Sequence, residues 1–160
     1  MRQMIFSNTM IKYRQMIIVS ACLAGMNTRY DGTNCGHPEI IELVASGKAI
    51  PLCPEQLGGL PTPRPAISFV DGDGNELIKE TIGVRAIGAD GVDYSKDLIN
   101  GAMETLRIAK MFNIKKAILK EGSPSCGVFK VWVNGRKVEG CGVTTAILKA
   151  NGIEVAQIEQ

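Results

Sequence analysis

Histidine is nearly missing from this chain: His37 is the only one among 160 residues. A metal site built from several imidazoles of one chain is thereby excluded, and metal chemistry would have to run on sulfur and carboxylate. Aromatic residues make up only 5%, and the single tryptophan, Trp132 in FKVWV, reads as hairpin packing rather than a platform for stacked bases. Lys and Arg form no block and the net charge is +2, so neither nucleic acid nor a membrane surface is an expected partner. No apolar run reaches the ~18–20 residues that span a bilayer. The opening MRQMIFSNTMIKYRQ lacks the apolar stretch of a signal peptide. A disulfide framework is missing too. Five cysteines, an odd number and widely spread, suit a reducing cytoplasm in which the thiols stay free.

What is present suits one ordinary hydrophobic core. Apolar residues reach 45% and charged residues 21%, which excludes global disorder. Residues 1–15 are expected to form a loosely ordered N-terminal extension, and 16–160 a single domain. Short apolar runs without strict alternation occur at Ile17–Ala21, Lys48–Leu52, Lys116–Leu119 and Ile153–Ile158, as in parallel strands buried on both faces. Helical patterns lie between them, over Pro38–Ser46, Asp93–Asn113 and Gly142–Ala150. The second carries an apolar stripe of Leu98, Ala102, Leu106, Ala109 and Phe112. Two hairpins interrupt the alternation. One runs through AISFV, a DGDGN turn and ELIKETIG; the other joins FKVWV to RKV through Asn134-Gly135. The prediction is a three-layer, Rossmann-like α/β domain with a mainly parallel sheet and two edge hairpins.

Three of the cysteines share one address. Cys22 follows the first strand, Cys53 follows the second, and Cys126 lies in the turn after the third. In open α/β sheets ligands bind at the carboxyl ends of the strands, so three thiols distant in sequence are expected to meet in one crevice. Each stands among Gly or Pro, in CLAG, CPEQLGG and SPSCG, where turns can aim backbone N–H groups inward. Thiolates without a His partner suggest iron–sulfur or other soft-metal ligation more than catalytic zinc. Buried cysteines also serve simply as small apolar side chains; Cys35 and Cys141 lack the strand-end position, Cys35 reading as a loop or helix-entry thiol and Cys141, before a predicted helix, as one that either faces the same crevice or packs. The DGDGN stretch is like part of a calcium loop but has Ile82 where such a loop needs its glutamate.

The ordered set CLAG, RYDG, CPEQLGGLPTPRP, LKEGSPSCG and GCGVTTAIL resembles a bacterial domain family that includes [4Fe-4S]-dependent thiouracil desulfidases. The resemblance covers about residues 16–156. It implies a [4Fe-4S] cluster held by Cys22, Cys53 and Cys126 only, with one iron open to sulfur from a small thiocarbonyl substrate. It assigns no ligand role to Cys35 or Cys141. The implied reaction is non-redox hydrolysis that releases sulfide from 2-thiouracil-like pyrimidines. Glu55, two residues beyond Cys53, is the candidate general base, and Ser123 and Ser125 are candidates to hydrogen-bond the substrate or hand it a proton. Both serines also suit ordinary turn chemistry beside Pro124. Arg29, Tyr30, Asp31 and Arg64 fall on motif positions without assigned roles, and His37, at a helix entrance, is given none. The competing reading is a non-catalytic module: a cluster or metal carrier, or a thiol redox sensor. A cluster-free thiol enzyme is a third. The expected assembly is a monomer or small homo-oligomer.

Overall fold

The run IIVS forms strand β1 (Ile17–Ser20), and its side chains alternate between two faces. Ile18 enters a large core with Phe69, Leu98 and Val131, whereas Val19 enters a smaller one with Leu23, Ile40 and Ala49. Such a strand belongs at the centre of a sheet. In this computed structural model, which describes residues 15–158, β1 lies between β2 (Ala49–Leu52) and β5 (Lys116–Ile118), both parallel to it. Strand β8 (Glu154–Ala156) adds in parallel beyond β5, giving the order β2-β1-β5-β8. Pro51 sits in β2, an edge strand, where its missing N–H costs the sheet least. The expectation for residues 1–15 falls outside the described residues, apart from Gln15.

Helix α1 (Pro38–Ala45) covers the smaller core through Ile40, with Leu43 and Val44 beside it. The larger core takes helices α4 (Ser95–Met111) and α5 (Val143–Ala150). Leu98, Ala102, Leu106 and Ala109 form the buried stripe of α4, as their spacing predicts. Phe112 does not join it: it is the residue that ends the helix, and it stays 43% exposed. The chain is thus α/β, with helices on both faces of a parallel sheet.

The two predicted hairpins do not hang from that sheet separately. Strands β3 (Ile67–Val70) and β4 (Arg85–Gly88) pair antiparallel, as do β6 (Lys130–Val133) and β7 (Arg136–Glu139). A parallel contact at Phe69 and Val133 joins them into a second, mixed sheet of order β4-β3-β6-β7. Its inner face places Phe69, Ala86 and Val131 in the large core. The Asn134-Gly135 turn is as expected, with φ of 49° and 75°, the left-handed pair that a two-residue hairpin needs.

The first hairpin needs correction. DGDGN is a helix start rather than a strand-to-strand turn, and the return strand begins at Arg85, not in ELIKETIG. The Asp73 carboxylate accepts from the N–H groups of Asn75 and Glu76, while the Glu76 carboxylate accepts from the Asp73 N–H. These reciprocal bonds satisfy the open donors of helix α3 (Gly74–Ile78). The second Asp73 oxygen accepts from the Cys141 N–H at 2.9 Å, which ties this helix start to the entry of α5.

Candidate functional site

The strand order decides where the cysteines meet. Cys22 lies in a single 3₁₀ turn (Ala21–Ala24) directly after β1; Cys53 precedes the short helix α2 (Pro54–Leu57) directly after β2; Cys126 ends the turn that follows β5. Because β1 lies between β2 and β5, the three thiols are carried by the segments that leave the carboxyl ends of three adjacent strands. They are close enough to influence one another's ionisation. Burial pushes the Cys22 thiol up to about 12, with Cys35 and Cys53 adding to the effect and Lys120 opposing it. Burial also raises Cys126 well above the ordinary thiol range; a hydrogen bond with Ser20 opposes this, and Cys22, Cys53 and Glu55 reinforce it. Cys22, Cys53, Cys126 and Glu55 therefore lie near one another. Cys141 is buried elsewhere, near Asp73 and Asn75, and its thiol is raised to about 11 chiefly by burial.

Arg64 closes the site from one side. Its side chain is 2% exposed and forms a 2.8 Å salt bridge with Glu55, itself 12% exposed. The same Nη2 donates to the Thr28 carbonyl at 2.9 Å and approaches the Cys53 sulfur at 3.9 Å. Cys53 Sγ in turn donates to the Thr28 carbonyl at 3.8 Å. The RYDG stretch serves as a frame for this group. Tyr30 accepts the Arg64 backbone N–H, and Asp31 binds the Thr33 hydroxyl and N–H. The Thr33 hydroxyl is the first cause that lowers the Asp31 carboxyl, which is spent on its own exposed turn. Arg29 lies over the Tyr30 ring at 6.0 Å. His37 precedes α1 and makes no capping bond with its side chain.

The two candidate serines differ. Ser123 Oγ accepts from the N–H groups of Ser125 and Cys126, both at 3.1 Å, so it shapes the turn while keeping its own proton. Ser125 is fully buried, and its hydroxyl has no partner. Gly142 presses on this turn: a Cβ there would stand 2.4 Å from the Ser125 carbonyl.

The model of the 2-thiouracil desulfurase family matches residues 17–160. The chain belongs to this family. It is 40% identical over 143 residues to the uncharacterised protein YbbK of Bacillus subtilis, across 88% of this chain and 93% of that one. Its structure is similar to that of the [4Fe-4S]-dependent thiouracil desulfidase TudS, with a TM-score of 0.77 and 38% identity, covering 90% of this chain and 91% of that one.

Four further residues bear on this region without having been given a role from the sequence. Cys35 lies close enough to Cys22 to add to the rise of its thiol, and its N–H donates to the Cys22 carbonyl at 3.1 Å. A loop cysteine carries no signal for this. Ser20 and Lys120 end β1 and overhang β5, the same address as the cysteines, and the Lys120 N–H donates to Ser20 Oγ at 2.9 Å.

Glu121 is the fourth. Its carboxylate accepts from the N–H groups of Gly122, Val128, Phe129 and Lys130 at 2.9–3.2 Å, which closes the loop around Cys126. Burial works to raise the carboxyl, but these backbone donors outweigh it and hold it below the ordinary value. A lowered carboxyl stabilises the fold above its unfolded pKa, and that contribution is lost as the pH falls through the folded one. Glu121→Gln puts an NH₂ among donors and is expected to cost about 2–3 kcal/mol at neutral pH. Urea unfolding should show the gap between wild type and variant closing in acid.

Proposed function

We propose that this protein is an iron–sulfur-dependent desulfidase that hydrolyses thiocarbonyl compounds of the 2-thiouracil kind and releases sulfide. The observation that carries this reading is the meeting of Cys22, Cys53 and Cys126 at adjacent strand ends, in a chain of the 2-thiouracil desulfurase family. The resident residues fit a [4Fe-4S] cluster. The donors are all sulfur, which suits iron, and the surrounding loops leave Ser125 Oγ, Arg64 Nε and Thr28 Oγ1 buried without partners. Among the described residues no three His, Cys, Asp or Glu converge on a single ion. A cluster asks for no such convergence, since each thiolate takes a different iron. Cys22, Cys53 and Cys126 would hold the cluster, which would supply one iron without a protein thiolate as a thiophilic Lewis acid for the substrate's sulfur.

The rest of the chemistry falls to the chain. Glu55, anchored through one oxygen on Arg64, accepts a proton from the attacking water. Ser123 has its lone pairs engaged by two backbone N–H groups and offers its proton to a substrate heteroatom. Ser125, beside Cys126, lacks a partner that a bound group would provide. A C=S bond and water become a C=O bond and hydrogen sulfide. The oxidation state of carbon does not change, so the step needs no electron donor or acceptor.

Anaerobically reconstituted protein given 2-thiouracil should form uracil and sulfide in equal amounts. Glu55→Gln should keep its iron and lose turnover ~10²–10⁴-fold. A cluster with no turnover of any thiolated pyrimidine would support a non-catalytic cluster carrier or thiol sensor instead.

A further inference from the structure

Burying a guanidinium is costly unless its donors are used, and Arg64 is 8% exposed as a whole residue. Its donors reach three separate stretches of chain. Nη1 donates to the Pro61 carbonyl at 3.2 Å and to Thr62 Oγ1 at 3.0 Å, on its own loop. Nη2 has two hydrogens and faces three acceptors: Thr28 O at 2.9 Å, Glu55 Oε2 at 2.8 Å and Cys53 Sγ at 3.9 Å. Nε has no partner. One nitrogen therefore stands between the sulfur of a cluster cysteine and the carboxylate of the base.

We propose that Arg64 is a positioning residue that sets the Glu55 carboxylate and the Cys53 sulfur at fixed places relative to each other, and tunes that sulfur through its N–H. The proposal rests on the reading of Cys53 as a ligand and Glu55 as a base. Its two halves have different physical consequences. Fixing Glu55 matters where the proton moves, and so acts on kcat; nothing in the bond pattern directs Arg64 at the ground-state substrate. Donating to Cys53 Sγ draws electron density from the sulfur, and hydrogen bonds to cluster sulfurs help set the reduction potential. Lysine cannot substitute. A single ammonium has no planar fork, so it cannot hold Pro61 and Thr62 on one side and Glu55 on the other.

The test uses anaerobically reconstituted full-length protein and compares wild type, Arg64→Lys, Glu55→Gln and Thr62→Val by iron content, steady-state kinetics on 2-thiouracil and potentiometric titration. Arg64→Lys is expected to keep its iron, to lose kcat ~10–100-fold with KM within about 3-fold, and to shift the cluster to a more negative potential. Glu55→Gln should lose turnover and, by removing a negative charge beside Cys126, move the potential the opposite way, to more positive values, while the contact of Arg64 with Cys53 survives. Thr62→Val removes one of the two Nη1 acceptors, and the Gln56 Nε2 bond to the same hydroxyl, with the charge of Arg64 intact, and should shift kcat in the same direction by a smaller factor. This second variant decides the matter if Arg64→Lys fails to fold.

Arg64→Lys with unchanged kcat per cluster and unchanged potential overturns the proposal and leaves Arg64 a purely structural residue. If wild type takes up a cluster but does not turn over thiouracil, the reading of the reaction fails, and the potential shift alone then decides whether Arg64 acts on Cys53. Wild type that takes up no cluster overturns both.

Discussion

Alanine at Cys22, Cys53 or Cys126 is expected to reduce iron, about four per chain for a [4Fe-4S] centre, to background after anaerobic reconstitution, and to abolish sulfide release. The expectation follows from position. Each thiol is carried by the segment that leaves one of three adjacent strands, so none can be replaced by a neighbour without breaking the strand register that places it. Serine at Cys35 is the informative contrast. Cys35 is bonded to Cys22 through the backbone, but its loop does not leave directly from a strand of the sheet, so Cys35→Ser should keep its iron. Cys141→Ser should do the same, because that thiol lies by Asp73. An iron loss in Cys35→Ser equal to that in Cys53→Ala would make Cys35 a ligand and remove one of the three named here. Iron and acid-labile sulfide assays, with the visible absorption of the reconstituted protein, read all five variants.

Gly101→Ala is expected to unfold the protein about 6–12 °C lower, from a cost of about 3 kcal/mol. Gly101 lies on the buried face of α4 where α2 crosses it, and a Cβ there would stand 1.8 Å from the Pro54 carbonyl oxygen and 2.9 Å from the Gly58 nitrogen. Gly58 answers from the other side, since its Cβ would meet the Asp97 carbonyl at 2.1 Å. These are contacts of backbone with backbone, which no rotamer change can relieve. The only escape is to separate the helices, and α2 carries Glu55 and starts at Cys53. The variant should therefore lose iron as well as stability. Met103→Ala, on the same helix but half exposed, should stay within about 0.5 kcal/mol of wild type by thermal melt.

The strands were legible because they are short, β-branched and bounded by Gly and Pro, and the cysteine addresses followed from them. Their adjacency was not legible. Nothing in IIVS, KAIPL or KAIL says that β1 lies between β2 and β5; the docking of helices on both faces settles that order. DGDGN misled because Asp-Gly begins both turns and helices. The discriminating residue was Glu76, three beyond Asp73, which completes a capping box. Arg64 lay on a motif position without a role, since its partners at Thr28, Cys53, Glu55, Pro61 and Thr62 belong to loops whose approach has no local pattern. Ser20 and Lys120 stood at strand ends all along, and the rule applied to the cysteines would have found them.

The bond from the Lys120 N–H to Ser20 Oγ joins residues 100 apart in sequence. Seen from the ribosome, that separation is a schedule. When β1 and β2 have emerged, Cys22 and Cys53 are already in the growing chain, yet the edge of β1 that β5 will fill is still open. Cys126, Ser123 and the Glu121 clasp all come later, and Gly142, which presses on their turn, later still. On the proposed ligand set, metal delivery follows translation of nearly the whole chain. A polypeptide that ends before β5 carries Cys22, Cys35 and Cys53 but not Cys126, and on the proposed reading it lacks one of the three cluster ligands.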